Sequence, residues 1–319
     1  MHSKTNPTLT STFKSTDTEE WLDIVFTRPI GLWWARLFNR FDIHPNTVTI
    51  LSMFIGAAAG ICFYWADFWH NLAGVALLMW ANFYDSADGQ LARMTGKKTR
   101  WGRILDGFAG DIWFITIYVA LCLRLHHTPM PWSDTAWGWR IWSIASLAGF
   151  VLHKRQAALA DYYRNIHLYF LKGKEASELD TSAQQRQHLA ETPRKGNFWW
   201  RAFLWGYANY TQGQEAQTPI FQRLMQHLRA YHDGQLPEHL RSTFLAQSRP
   251  LMPLANILTF NCRAITLYIS CLANEPWLYF IVEITLFTVL WWVMRYRHET
   301  LCARTLHTLQ HGTHAPTNS

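Results

Sequence analysis

The sequence predicts an all-α integral membrane protein: a bundle of six transmembrane helices, with an N-terminal interfacial amphipathic helix and a polar cytoplasmic insertion between helices four and five. Three observations carry this. Apolar runs recur at lengths that can cross a bilayer, which takes about 20 helical residues. Aromatics make up 15% of the chain, with 18 Trp, and Trp and Tyr gather at membrane–water boundaries. The mean hydropathy is only −0.10, so a sizeable polar portion must accompany the spans.

Residues 1–18 read as a polar, mobile tail without a signal-peptide pattern. Residues 19–43 carry Trp21, Ile24, Val25, Ile30, Leu32, Trp33, Trp34, Leu37 and Phe38 among Arg28, Arg36 and Arg40, the pattern of a helix lying in the interface. The core spans one to four occupy 44–171. Span one opens at Pro45-Asn46-Thr47-Val48-Thr49, with proline suited to a first turn, and holds Gly56 and Gly60 four apart for close helix packing. Span two covers about 71–93. A basic loop (Lys97, Lys98, Arg100, Arg103) leads to span three, about 103–125, and span four covers about 137–157.

The insertion, 172–250, is charged and Gln-rich. It also holds an aromatic segment, Phe198 to Trp205, that reads as a platform at headgroup level. Spans five and six lie within 251–298, with Arg263 in one and Glu283 in the other, and a tail follows over 299–319. All but three of the 29 Lys and Arg residues (Arg124, Arg140, Arg263) fall on one side of this arrangement. The positive-inside rule then places both termini in the cytoplasm.

Composition also excludes. Five scattered Cys without a CxxC give neither a disulfide framework nor a zinc site, and the 15 His form no HExxH. The net charge of +7 does not point to nucleic acid, because the positive residues flank apolar spans where anionic headgroups and insertion select them.

Chemistry concentrates between Asp85 and Asp111. Span two ends in Asp85-Ser86-Ala87-Asp88-Gly89-Gln90-Leu91-Ala92-Arg93, and span three opens with Gly102, Asp106 and Asp111. Asp85 and Asp88 share a helix face, as do Gly102 and Asp106. Carboxylates at span ends are costly and point to function. Hard oxygen ligands suit Mg²⁺ or Mn²⁺, and two facing acidic helices can hold a pair of ions. Gly89 and Ala92 leave room for a ligand, and Arg93 offers a fork for phosphate.

Asp85-x2-Asp88-Gly89-x2-Ala92-Arg93-x8-Gly102-x3-Asp106 resembles the signature of the CDP-alcohol phosphotransferases (CDP-alcohol phosphatidyltransferase family). The resemblance implies a CDP-linked lipid donor such as CDP-diacylglycerol, an alcohol acceptor, release of CMP, two divalent ions on Asp85, Asp88, Asp106 and Asp111, and a homodimer. Asp106 and Asp111 are its catalytic carboxylates, with Asp111 as the base. Gly89, Ala92, Arg93 and Gly102 line the donor site; Ser86, within the motif, either hydrogen-bonds the nucleotide or faces solvent. The family's last acid falls four residues after Asp106, where this chain has Gly110, and Asp111 comes one residue later. A π-bulge between Asp106 and Asp111 is expected to turn Asp111 back to the site. A regular helix instead aims it at lipid or a neighbouring helix.

Lys154 and Arg155 serve either as a basic wall for a phosphorylated acceptor or as topology charges. Arg263 either joins that wall or pairs with Glu283. The acceptor expected from the wall is inositol phosphate, as in phosphatidylinositol-phosphate synthases; glycerol phosphate, serine and a lipid alcohol are the alternatives. A nucleotide- or lipid-binding pseudoenzyme and a divalent-metal transporter are the other classes. The transporter does not require Gly89, Ala92, Arg93 and Gly102 at these offsets.

Overall fold

A computed structural model describes residues 15, 17–97, 99–174 and 177–312. Most of the N-terminal tail, Lys98 of the basic loop and the C-terminal end lie outside the described residues. Every regular element among the described residues is helical, apart from one isolated bridge between Pro129 and Ala136. In order these are a π-helical turn Asp23–Thr27, α1 Arg28–Arg40, α2 Pro45–Cys62, α3 Phe68–Thr95, α4 Arg100–His126, α5 Trp139–Ser146, a π-helical stretch Leu147–His153, α6 Lys154–Lys172, α7 Ser182–Glu191 and α8 Phe198–Gln217. Then follow α9 Pro219–Tyr231, α10 Glu238–Ser248, a 3-10 turn Arg249–Leu251, α11 Met252–Ile257, α12 Phe260–Leu272, α13 Trp277–Ile284 and α14 Leu286–Gly312.

Two compact units emerge. The first contains Glu19–His153 and Asn261–Ile284. Its centre is α2, α3 and α4, joined by short turns and therefore antiparallel neighbours. Each start is capped. His44 Nδ1 accepts from Asn46 N at 3.2 Å, Asp67 Oδ1 from His70 N at 3.1 Å, and Thr99 Oγ1 from Gly102 N at 2.9 Å. Gly96, at φ 69°, ends α3 in the left-handed conformation that glycine adopts without cost.

The small residues of α2 do what their spacing predicts. A Cβ at Gly56 would fall 2.1 Å from the Trp113 ring of α4, so glycine is the space into which that indole fits. Trp113 Nε1 then reaches Ser52 O at 2.9 Å. The opposite face of α4 exposes Phe108, Ile112, Ile115, Val119 and Leu123, an apolar stripe at helical spacing. A helix apolar on its outer face as well as its packed one is solvated by lipid.

Among the described residues, three stretches are long and apolar enough to cross a membrane: Pro45–Cys62, Arg100–His126 and Trp277–His311. The remaining expected spans are interrupted or charged. Span two is the 28-residue α3, which carries the acidic motif at its end. Span four divides into α5 and the π stretch and continues as α6 to Lys172, and span five breaks at Leu258 and Thr259; span six, which lies within the third apolar stretch, is itself interrupted at Thr285, with α14 running on to Gly312.

The second unit contains Lys154–Phe260 and the described parts of Lys14–Thr18 and Thr285–Ser319. A capping box at Thr181 and Gln184 starts α7, which pairs with α8. Glu299 of α14 caps α9, accepting from Ile220 N at 2.8 Å. Phe221, Leu224, Leu228 and Phe244 are buried in its core, while Phe198, Trp199 and Trp205 of α8 are exposed.

Candidate metal and phosphate site

The end of α3 and the start of α4 bring three carboxylates together. One oxygen each from Asp85, Asp88 and Asp106 lie within 4.8 Å of one another. Local packing produces this. Asp85 and Asp88 sit one turn apart on α3. Gly102 lets the first turn of α4 close on α2: a Cβ there would lie 2.8 Å from Asn46 Oδ1. Asn46 Nδ2 donates to the capping Thr99 hydroxyl at 3.2 Å, which ties the two starts together. Asp106, four residues past Gly102, then faces the α3 pair.

The electrostatics of the cluster favour a cation. Asp88 is buried, Asp85 half-buried and Asp106 exposed. Asp88 Oδ2 is buried with no hydrogen-bond partner, and a buried carboxylate oxygen left so is costly. Three hard oxygen donors and an orphaned lone pair fit Mg²⁺ or Mn²⁺, and the residues present pass that test.

Asp111 lies five residues beyond Asp106 on α4. α4 is a regular α-helix from Arg100 to His126, and the expected π-bulge is absent. A continuous hydrogen-bond ladder keeps Asp111 about 140° around the helix from Asp106, and it is not in the three-acid group. It shares a stripe with Phe114 and Tyr118; the Phe114 ring lies 4.5 Å from that of His153. A Cβ on Gly110 would meet nothing within 4 Å, so the slot four residues after Asp106 is open space. The π geometry occurs instead at Asp23–Thr27 and in the stretch that ends at His153.

The other candidates divide by place. Arg93 Nη1 lies 3.6 Å from where a Gly89 Cβ would be, so the guanidinium folds over Gly89, next to the acids. Ala92 is half-buried beside it. Ser86 accepts from Gln90 Nε2 at 3.2 Å and lies against Gly31 of α1. Arg263 is fully buried and pairs with Glu283 at 2.6 Å, and Glu283 lies 3.7 Å from His153 Nδ1. Lys154 and Arg155 open α6 in the second unit.

Several neighbours escaped the sequence reading. Thr49 of α2 stands near Asp88 while its hydroxyl donates to Pro45 O at 3.3 Å, and Asn46 braces Gly102. Both belong to the Pro45–Thr49 opening, where the polar residues in an apolar run were the available signal. Gln90 gave no such signal, because it acts on the distant Arg28 carbonyl, and Glu19 gave none, because nothing in the sequence marks its pairing with Arg28.

No curated protein and no solved structure matches the chain. Residues 42–172, under half of the chain but including α2, α3, α4 and the whole acidic motif, match the family model of CDP-alcohol phosphatidyltransferase, and this stretch carries the support for that family.

Proposed function

We propose that the protein is a membrane-embedded CDP-alcohol phosphotransferase of phospholipid synthesis. It transfers a substituted phosphoryl group from a CDP-alcohol, with CDP-diacylglycerol as the donor of choice, to an acceptor hydroxyl, and CMP leaves. The observation that carries this reading is the Asp85–Asp88–Asp106 triangle with its orphaned Asp88 oxygen.

Phosphoryl transfer depends on positioning and charge neutralisation more than on covalent help. The divalent ions, when bound, supply charge stabilisation at the pyrophosphate. Asp85, Asp88 and Asp106 hold them. Gly89 and Ala92 leave room for the nucleotide, and Arg93 grips a phosphate. The proton of the attacking hydroxyl passes to a carboxylate of α4, Asp106 or Asp111. Six spans, a cytoplasmic site, cytoplasmic termini and a homodimer complete the proposal. The acceptor is a phosphorylated alcohol, with inositol phosphate first, as in the phosphatidylinositol-phosphate synthase type. A pseudoenzyme is the second reading, favoured by Gly110 and by the regular course of α4 past it.

The test is CMP release by the purified protein with Mg²⁺, CDP-diacylglycerol and inositol phosphate, with Asp88→Asn as the blank. Release that needs Asp88 and the acceptor supports both parts. Release that ignores inositol phosphate keeps the transferase and replaces the acceptor. No release with any donor and acceptor leaves the pseudoenzyme.

A further inference from the structure

The start of α1 lies over the motif stretch of α3. Gln90 Nε2 donates to the Arg28 carbonyl at 3.2 Å. Gly31 is so close to Ser86 that a Cβ there would fall 2.6 Å from its Oγ. Ser86, Gln90 and Arg93 follow at offsets of four and three, so they form one stripe of α3. Ser86 and Gln90 of that stripe contact α1. Arg93 ends it, within charge–charge range of Arg28, Glu19, Asp88 and Asp106.

The Arg28 side chain is held rather than loose. Its Nε donates to Glu19 Oε2 at 2.9 Å and its Nη2 to Oε1 at 2.8 Å, a two-bond fork. The Glu19 side chain is 3% exposed and that of Arg28 is 20% exposed. A carboxylate buried to this degree fixes the plane of the guanidinium it pairs with. Two guanidiniums, Arg28 and Arg93, thus stand in charge range of Glu19, and Arg93 in that of the acids Asp88 and Asp106 as well. Opposite charges placed side by side are what a metal-bound diphosphate requires: cations for its oxygens and acids for its metals.

We propose that Arg28 binds the pyrophosphate of the nucleotide-linked donor together with Arg93, and that Glu19 is the positioning residue that orients it. The identity of the donor rests on the transferase reading above; the anion site rests on this packing. The interfacial helix is then part of the donor site as well as a membrane anchor.

The experiment uses the full chain in lipid nanodiscs with Mg²⁺. It measures KM and kcat for the CDP-alcohol, KM for the acceptor, and the melting shift produced by CDP alone. Arg28→Gln raises the donor KM about tenfold and removes most of the CDP shift, as expected for a lost charge-assisted hydrogen bond. The acceptor KM stays put. Arg28→Lys falls between, because an ammonium is a point charge without the fork. Glu19→Gln/Arg28→Gln removes both partners without stranding a buried charge, so it guards against a folding artefact and repeats the donor defect.

A lower melting temperature with wild-type donor KM and wild-type CDP shift overturns the inference and makes the pair a brace. CDP binding that needs Arg28 in a protein that releases no CMP keeps this site and overturns the transferase. CMP release with donor kinetics indifferent to Arg28 does the reverse. A protein that neither binds CDP nor releases CMP overturns both.

Discussion

The two ends of the α2–α3–α4 core treat buried charge in opposite ways. At one end Arg124 of α4 is buried, and its guanidinium donates to Phe63 O at 3.0 Å, Asn71 Oδ1 at 2.9 Å and Asn274 Oδ1 at 2.5 Å. Neutral acceptors from the end of α2, the start of α3 and the turn before α13 satisfy it. At the other end Asp85, Asp88 and Asp106 crowd together, and one oxygen of Asp88 has no partner. The same three helices therefore carry a finished charge at one end and an unfinished one at the other. A cation surrounded by protein acceptors holds a structure together. Crowded acids with an unpartnered oxygen are the pattern expected of the cation site proposed above.

The largest effect should come from Asp88. Asp88→Asn is expected to reduce CMP release by about 10³-fold, the equivalent of several kcal/mol of transition-state charge stabilisation. It should not lower the melting temperature in EDTA, because a neutral amide relieves repulsion among the acids. The stabilisation that wild type gains on adding Mg²⁺ should vanish. Thermal scans with and without metal decide this. A variant that melts well below wild type in EDTA would place Asp88 among the structural charges and erase the contrast between the ends.

Arg124→Met should behave in the opposite manner. It strands the Phe63 carbonyl and two Asn side chains inside the bundle, and the expected loss is about 3 kcal/mol of stability. The donor KM and the Mg²⁺ shift should remain those of wild type. Equilibrium unfolding in mixed micelles, with kinetics on the folded fraction, measures both. Loss of donor affinity without loss of stability would join the two ends functionally and contradict the division drawn here.

What the sequence made legible followed locality. Asp85, Asp88, Gly102 and Asp106 are read correctly onto shared faces because helical spacing fixes faces within one or two turns. Gly56 and Gly60 announce close packing for the same reason. The π stretch Leu147–His153 and the breaks at Leu258 and at Thr285 were not legible. A hydropathy window averages about 19 residues and cannot register a hydrogen-bond ladder that slips by one. Arg263 illustrates the long-range case: both it and Glu283 are visible as charged residues in apolar runs, yet only packing puts them 2.6 Å apart. The Glu19–Arg28 fork was invisible, since nothing in residues 19–43 separates a held arginine from a solvated one.

Gly110 gives the smallest and sharpest test of the acidic end. Position 110 lies about 40° around the helix from Asp106, and its Cβ direction is open. Gly110→Asp thus sets a fourth carboxylate on the face of Asp106 without a clash, and replacing glycine inside a helix does not cost backbone stability. If the cluster is unfinished because an acid is displaced to position 111, the variant should release CMP about tenfold faster, less than the roughly 10²-fold or more of a fully positioned base. The double variant Gly110→Asp/Asp111→Asn should keep that gain. A gain that disappears in the double variant assigns the base to Asp111, acting from its own stripe beside Phe114. An unchanged rate in Gly110→Asp means that three acids suffice, and that the open space at 110 serves the ligand rather than a missing side chain.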